Sequence, residues 1–118
     1  MEKSIFAVIY RFALLPGKEK RYQQLWHKVS NYFVNSKGAI GSTLHKTHEG
    51  YWLAYSRWPN RATRDAAWPT GDTSPDLSLP DPIRSAIIEM KACASTEKTW
   101  PPIEMDLIAY SENPVKYS

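Results

Sequence analysis

Alternation of apolar positions lays out the first elements. Along Ser4–Leu14, Phe6, Val8, Tyr10 and Phe12 fall on one side of an extended chain, with Ile5, Ala7, Ile9 and Arg11 on the other. Successive strand side chains point to opposite faces, so the run predicts a first strand apolar on both faces. Pro16-Gly17 predicts a turn. Tyr22, Leu25, Trp26, Val29 and Phe33 then recur at spacings of three and four, which predicts a helix from about Lys18 to Ser36 with one apolar stripe. Lys37-Gly38 is its expected stop, because glycine takes the left-handed conformation freely.

Gly41–Thr47 predicts a more polar second strand anchored by Leu44, with Thr43, His45 and Thr47 on its other face. His48-Glu49-Gly50 predicts a hairpin into a third strand, Tyr51–Trp58. There Trp52, Ala54, Ser56 and Trp58 look one way, and Leu53, Tyr55 and Arg57 the other. Pro59 has no N–H to continue the ladder, and Asn60 is placed to cap a short helix, about Arg61–Trp68. Residues 69–82 carry four prolines and predict a flexible loop, here expected to act as a mobile flap with few apolar anchors beyond Leu77 and Leu79. Asp81 and Pro82 are a start signal for a second main helix, with Ile83, Ala86, Ile87, Met90 and Ala94 inward and Cys93 beside them. Pro101-Pro102 leads into a predicted last strand, Ile103–Ser111, with Ile103, Met105, Leu107 and Ala109 on one face and Glu104, Asp106, Ile108 and Tyr110 on the other. The tail 112–118 is polar.

The order strand, helix, strand, strand, helix, strand predicts one α+β domain over 1–118, a ferredoxin-like βαββαβ antiparallel sheet with its helices on one face. Two helices cover one side only. The covered face is expected to be Phe6, Val8, Tyr10, Phe12, Leu44, Trp52, Ala54, Trp58, Ile103, Met105 and Leu107. The other face would then hold Ile5, Ile9, Arg11, Leu53, Tyr55, Arg57, Ile108 and Tyr110, with Glu104 and Asp106 placed to meet the arginines within or across an interface. An apolar patch of that size is more than a monomer usually exposes, so a homodimer through this face is expected.

Composition narrows the partners. The chain has 118 residues, a net charge of +3 and no dense basic run, so nucleic acid is not an expected partner. No stretch approaches the length of a membrane span, and the apolar N-terminal run, interrupted by Arg11, is not expected to be a signal peptide. The single Cys93 excludes an internal disulfide and a cysteine-based zinc site, and fits a reducing cytoplasm. His27, His45 and His48 share no face, so no metal site is expected. Five Trp, seven Tyr and three Phe exceed the needs of so small a core, which points to rings lining a cavity or an interface.

The segment VIYRFALLPGKEKRYQQLWHKV (Val8 to Val29), followed by GSTLHK and AYSRWPNR, resembles the antibiotic biosynthesis monooxygenase superfamily. Residues 4 to 68 carry the resemblance. It implies a dimeric α+β barrel of two ferredoxin-like sheets packed face to face. It also implies activities that range from cofactor-free oxygenation of polyphenolic or quinol substrates to haem degradation. Trp58 matches the tryptophan with which the haem-degrading branch shapes its pocket. That branch carries an asparagine where this chain has Tyr10 and an iron-ligating histidine on the later helix, and Ile83–Thr96 contains none. The resemblance therefore disfavours haem degradation and implies no cofactor.

Tyr10, Trp26, Trp52, Ser56 and Trp58 are the candidate pocket residues for a small aromatic ligand, with core packing the rival reading of each ring. Ser56 stands where many members have an acid, and Trp68 where many have a histidine. No catalytic residue is singled out. Two functions stay open: a cofactor-independent monooxygenase acting on a small aromatic, and a non-catalytic dimeric domain that binds or senses a small apolar ligand.

Overall fold

The structure, a computed structural model, describes residues 4–68 and 77–111. Its elements are β1 (Phe6–Leu14), α1 (Glu19–Ser36), β2 (Gly41–Lys46), β3 (Trp52–Trp58), α2 (Arg61–Ala67), α3 (Asp81–Cys93), β4 (Ala94–Thr99) and β5 (Ile103–Asp106). They form one antiparallel sheet in the order β2-β3-β1-β4, with β5 also paired to β1. That is the expected ferredoxin-like α+β arrangement, with the last strand in two pieces.

Register confirms the alternation of the first three strands. Phe6, Val8, Tyr10 and Phe12 lie opposite Trp58, Ser56, Ala54 and Trp52, and Ala7, Ile9 and Arg11 opposite Arg57, Tyr55 and Leu53. Directly opposed residues share a face. β2 adds Ser42 and Leu44 to the first face, and Thr43 and His45 to the second. All three helices cover the first face in two clusters. In one, Tyr22, Leu25 and Val29 of α1 meet Leu79 and Ile83, Ala86, Ile87 and Cys93 of α3, with Phe12, Leu14 and Leu44 of the sheet beneath. In the other, Phe6, Val8 and Trp58 meet Ala67 of α2, with Tyr10 and Phe33 at the margin.

The helix ends follow their local chemistry. Asn60 accepts from the Thr63 N–H at 2.8 Å and caps α2 as expected. Asn60→Ala should therefore lower stability by about 1 kcal/mol, read from a urea unfolding curve, whereas Asn60→Asp should be close to neutral. Asp81 does not cap α3. It sits in the first turn after Pro80 and pairs with Arg84 instead.

The C-terminal part corrects the sequence reading. α3 stops at Cys93, whose carbonyl accepts from the Leu15 N–H at 2.8 Å, and Ala94 already begins β4. β4 pairs the far half of β1 and β5 the near half, and the register slips between them. Pro101 and Pro102 stand in that break, where neither can donate to a ladder. In β5, Glu104 lies opposite Val8 and Asp106 opposite Phe6, while Ile103 and Met105 lie opposite Ile9 and Ala7. The faces expected for Ile103, Met105, Glu104 and Asp106 are thus exchanged. Alternation groups residues by face but does not say which group turns inward. The strand also ends at Asp106, not Ser111. Ile108 and Tyr110 lie beyond it and are exposed, Ile108 at 91%. Of the expected flap, residues 69–76 lie outside the described residues, as does the tail 112–118. Its far end is anchored: Leu79 is buried in the α1–α3 cluster, while Leu77 is exposed.

Candidate functional site

Small and polar groups of the helix-covered face adjoin the second cluster, which holds Val8 and has Tyr10 at its margin. Tyr10 pairs with Ala54, the smallest side chain on that stretch of β3, and is half-buried. One position along, Ser56 sits opposite both Val8 and Ser42, and the two serine hydroxyls are 3.2 Å apart. This hydroxyl pair is the polar group that alternation predicted at Ser56.

The tryptophans are packed more tightly than a lining requires. Trp58 is 7% exposed, lies among Phe6, Val8 and Ala67, and meets Phe33 edge-on at 6.2 Å. Trp52 is also 7% exposed. Trp26 is partly buried at the margin of the α1–α3 cluster, edge-on to His27 at 5.1 Å. Tyr10 and Ser56 therefore share the helix-covered face, Tyr10 at the margin of the cluster that Trp58 fills, and Trp26 belongs to the other cluster.

A charged cluster borders Tyr10. Arg61 and Arg64 project from α2, one helical turn apart, and both reach Glu104 of β5. Arg61 Nη2 donates to Glu104 Oε1 at 2.7 Å, Arg64 Nη2 donates to Oε2, and Arg64 Nε donates to Asp65 at 2.9 Å. Arg64 and Arg61 also stand 5.1 and 5.6 Å from the Phe6 ring centroid, within cation–π range. The Arg64 side chain is only 13% exposed. Burial opposes its charge, but the bonds to Glu104 and Asp65 outweigh that, so its pKa is raised. The hydrogen bond from Arg64, followed by the arginine charges, holds the Glu104 carboxyl below the usual range. Burial pushes the Tyr10 phenol above its ordinary value; Arg64 pulls it part of the way back and Glu104 adds to the rise. Tyr10 is thus a neutral phenol throughout the physiological range.

Sequence reasoning missed Arg64 and placed Glu104 on the opposite face. Their meeting depends on the β5 register, which places the acid on the helix side. The available signal was a pair of arginines three apart on a helix that must lie against the covered face. The expected meeting of Arg11 and Arg57 with Glu104 and Asp106 does not occur, because the acids are on the other side of the sheet. Arg11 instead donates to the Pro101 carbonyl at 3.3 Å, in the gap between β4 and β5. On the open face Ile5, Ile9, Leu53 and Tyr55 are partly exposed, and Ile103 and Met105 join them at 39% and 36% exposure. Among the described residues no group of histidine, cysteine and carboxylate side chains could hold a metal ion, and no helix is long and apolar enough to cross a membrane.

No protein-family model and no curated protein matches this sequence. Solved structures do match the fold. SnoaB from Streptomyces nogalater, a cofactor-independent oxygenase, aligns at a TM-score of 0.60 over 96% of this chain and 99% of its own, with 13% identity. A candidate antibiotic biosynthesis monooxygenase of Chloroflexus aurantiacus aligns at 0.65, covering 92% and 97% of the two chains at 13% identity. A conserved protein of Methanosarcina mazei also gives 0.65, over 87% and 92%, at 11% identity. The chain shares the fold of the antibiotic biosynthesis monooxygenases over nearly its whole length.

Proposed function

We propose that this protein is a homodimeric domain of the antibiotic biosynthesis monooxygenase type that takes a small aromatic molecule between sheet and helices and oxygenates it without a cofactor. The observation that carries this reading is the half-buried phenol of Tyr10, on the same helix-covered sheet face as the Ser42–Ser56 hydroxyls, in a fold shared end to end with a cofactor-independent oxygenase. The chemistry asks little of the protein. An electron-rich phenol tautomer loses a proton to become a carbanion, which reduces dioxygen directly. The site's task is to exclude water and to hold the ionised oxygen.

Anthrone is a suitable probe. Its methylene would become a carbonyl, with one oxygen atom retained and the other leaving as water. The protein should accelerate this conversion at least tenfold over buffer and place one labelled atom from 18O2 in the product. An alternative reading, binding without turnover, is favoured by one feature: Glu104, the acid beside Tyr10, is held by two arginines and is poorly placed to act as a base. Anthrone that quenches tryptophan fluorescence but oxidises no faster than in buffer would select that alternative.

A further inference from the structure

A cavity of about 430 Å³ lies at the Leu14 end of the sheet, lined by Ala13, Glu49, Gly50, Tyr51, Lys98 and Trp100. Register sets Phe12 opposite Trp52 and Arg11 opposite Leu53, so Ala13 and Tyr51 fall on the open face, away from the helices. β3 and β4 flank β1, and their backbones run ~10 Å apart across it. Ala13 is too small to fill that space. Tyr51 and Trp100 close over it, with ring centroids 5.0 Å apart and planes at 34°. Neighbouring bonds hold both rings. The Thr47 N–H and hydroxyl donate to the Tyr51 carbonyl at 2.8 and 2.9 Å, and Arg11 donates to the carbonyl of Pro101, next to Trp100, at 3.3 Å. The cavity falls within the ~300–1,000 Å³ range of small-molecule sites. It borders the middle of the open face, since Ala13 is four residues beyond Ile9, or ~13 Å along β1.

We propose that this cavity binds a neutral sugar ring, a pyranoside stacked on Tyr51 and Trp100 with its hydroxyls shared between Lys98 and Glu49. The charges carry the choice of ligand. Lys98 and Glu49 are both exposed and of opposite sign, yet among the described residues no ion pair joins them and Glu49 has no partner at all. An anionic ligand would be repelled by Glu49. A cationic one would be repelled by Lys98, whose ammonium already stands 5.3 Å from the Trp100 ring centroid, in the cation–π position. A hydrocarbon would take both charges out of water with nothing to bond them. An ammonium only donates and a carboxylate only accepts, whereas a hydroxyl does both, so a polyol edge can serve the two together. A pyranose with equatorial substituents also presents C–H groups on its two faces, and these suit the negative face of an aromatic ring. A zwitterion such as phenylalanine would match both charges and is the competitor that the experiment must exclude.

The probe is methyl β-D-glucopyranoside. Sorbitol, an open chain with similar hydroxyls but no rigid C–H face, is the control. Saturation-transfer and 1H–15N NMR titrations read the binding. The glucoside should bind in the millimolar range, at least roughly fivefold more tightly than sorbitol, and should shift the indole N–H of Trp100, assigned by its loss in Trp100→Ala. Trp100→Ala should abolish binding, and Trp100→Phe should restore it to within about threefold of the wild type, because a ring face is kept. Lys98→Met and Glu49→Ala should each weaken it by about three- to tenfold, the loss of one hydrogen bond, with the urea midpoint unchanged. Sorbitol bound as tightly as the glucoside, phenylalanine bound more tightly, or an affinity that neither Lys98→Met nor Glu49→Ala alters would overturn the sugar assignment. A Trp100 indole resonance that no compound moves would overturn the site itself. Neither result bears on anthrone, whose proposed place is on the other side of the sheet.

Discussion

Ile9→Asp should convert a dimer into a monomer. Ile9 occupies the middle of the open face, with Tyr55 opposite it on β3 and Ile103 on β5. In the proposed homodimer this face meets its own copy, so a single substitution places two charges in one apolar contact. Burying four side chains of this size contributes on the order of 6–12 kcal/mol, at ~1.5–3 each, against association costs of ~4–15 kcal/mol. The balance is narrow enough for two buried carboxylates to reverse it. Light scattering coupled to size exclusion should give twice 13.5 kDa for the wild type and 13.5 kDa for the variant, with unchanged far-ultraviolet circular dichroism. Lys28→Asp, on the exposed side of α1, should leave the dimer intact. A wild-type mass of 13.5 kDa at micromolar concentration would rule out the homodimer.

Trp58→Ala should cost about 3–5 kcal/mol of folding stability, the range for emptying a packed tryptophan site. The residue is 7% exposed and ties β3 to Phe6 and Val8 of β1, to Ala67 of α2 and, through Phe33, to α1. Removing the indole would loosen β3 from three other elements at a single point. Urea unfolding measures the loss. Trp100→Ala gives the contrast, because that half-buried ring, packed with Tyr51 and Lys98 near the sheet's end, belongs to neither core cluster and should cost far less. A Trp58→Ala protein within 1 kcal/mol of the wild type would show that the ring lines a cavity more than it fills a core.

Much of the layout was legible because β1, α1 and β3 are strongly patterned. Both strands alternate without interruption, and the α1 stripe has one period throughout. The Pro16-Gly17 turn and the glycine after α1, whose φ of +81° suits no other residue well, fix where these elements begin and end. The C-terminal third was harder for a physical reason. Ala94–Thr99, ASTEKT, is an edge strand with exposed side chains, so it carries no apolar period to detect. The adjacent prolines read as loop, and the slip they accompany reverses the inward side of β5.

The same division runs through the site. Tyr10 and Ser56 were placed correctly on one face by alternation alone. Arg64 and Glu104 are 40 residues apart in sequence and meet only through the β5 register, which no local pattern encodes. An acid on the covered face was accordingly unexpected.

The interruption at Pro101-Pro102 also bears on how copies of the chain can assemble. A sheet border offers its N–H and C=O groups to any passing strand, and a long straight border invites runaway lateral growth. Here the border made by β4 and β5 is divided into segments of 6 and 4 residues, and the two prolines between them have no hydrogen to offer. An incoming strand would find no continuous ladder to extend. Lateral stacking into filaments is therefore obstructed on that side, and contact between broad sheet faces, which closes on itself at two copies, is left as the easier mode of self-association.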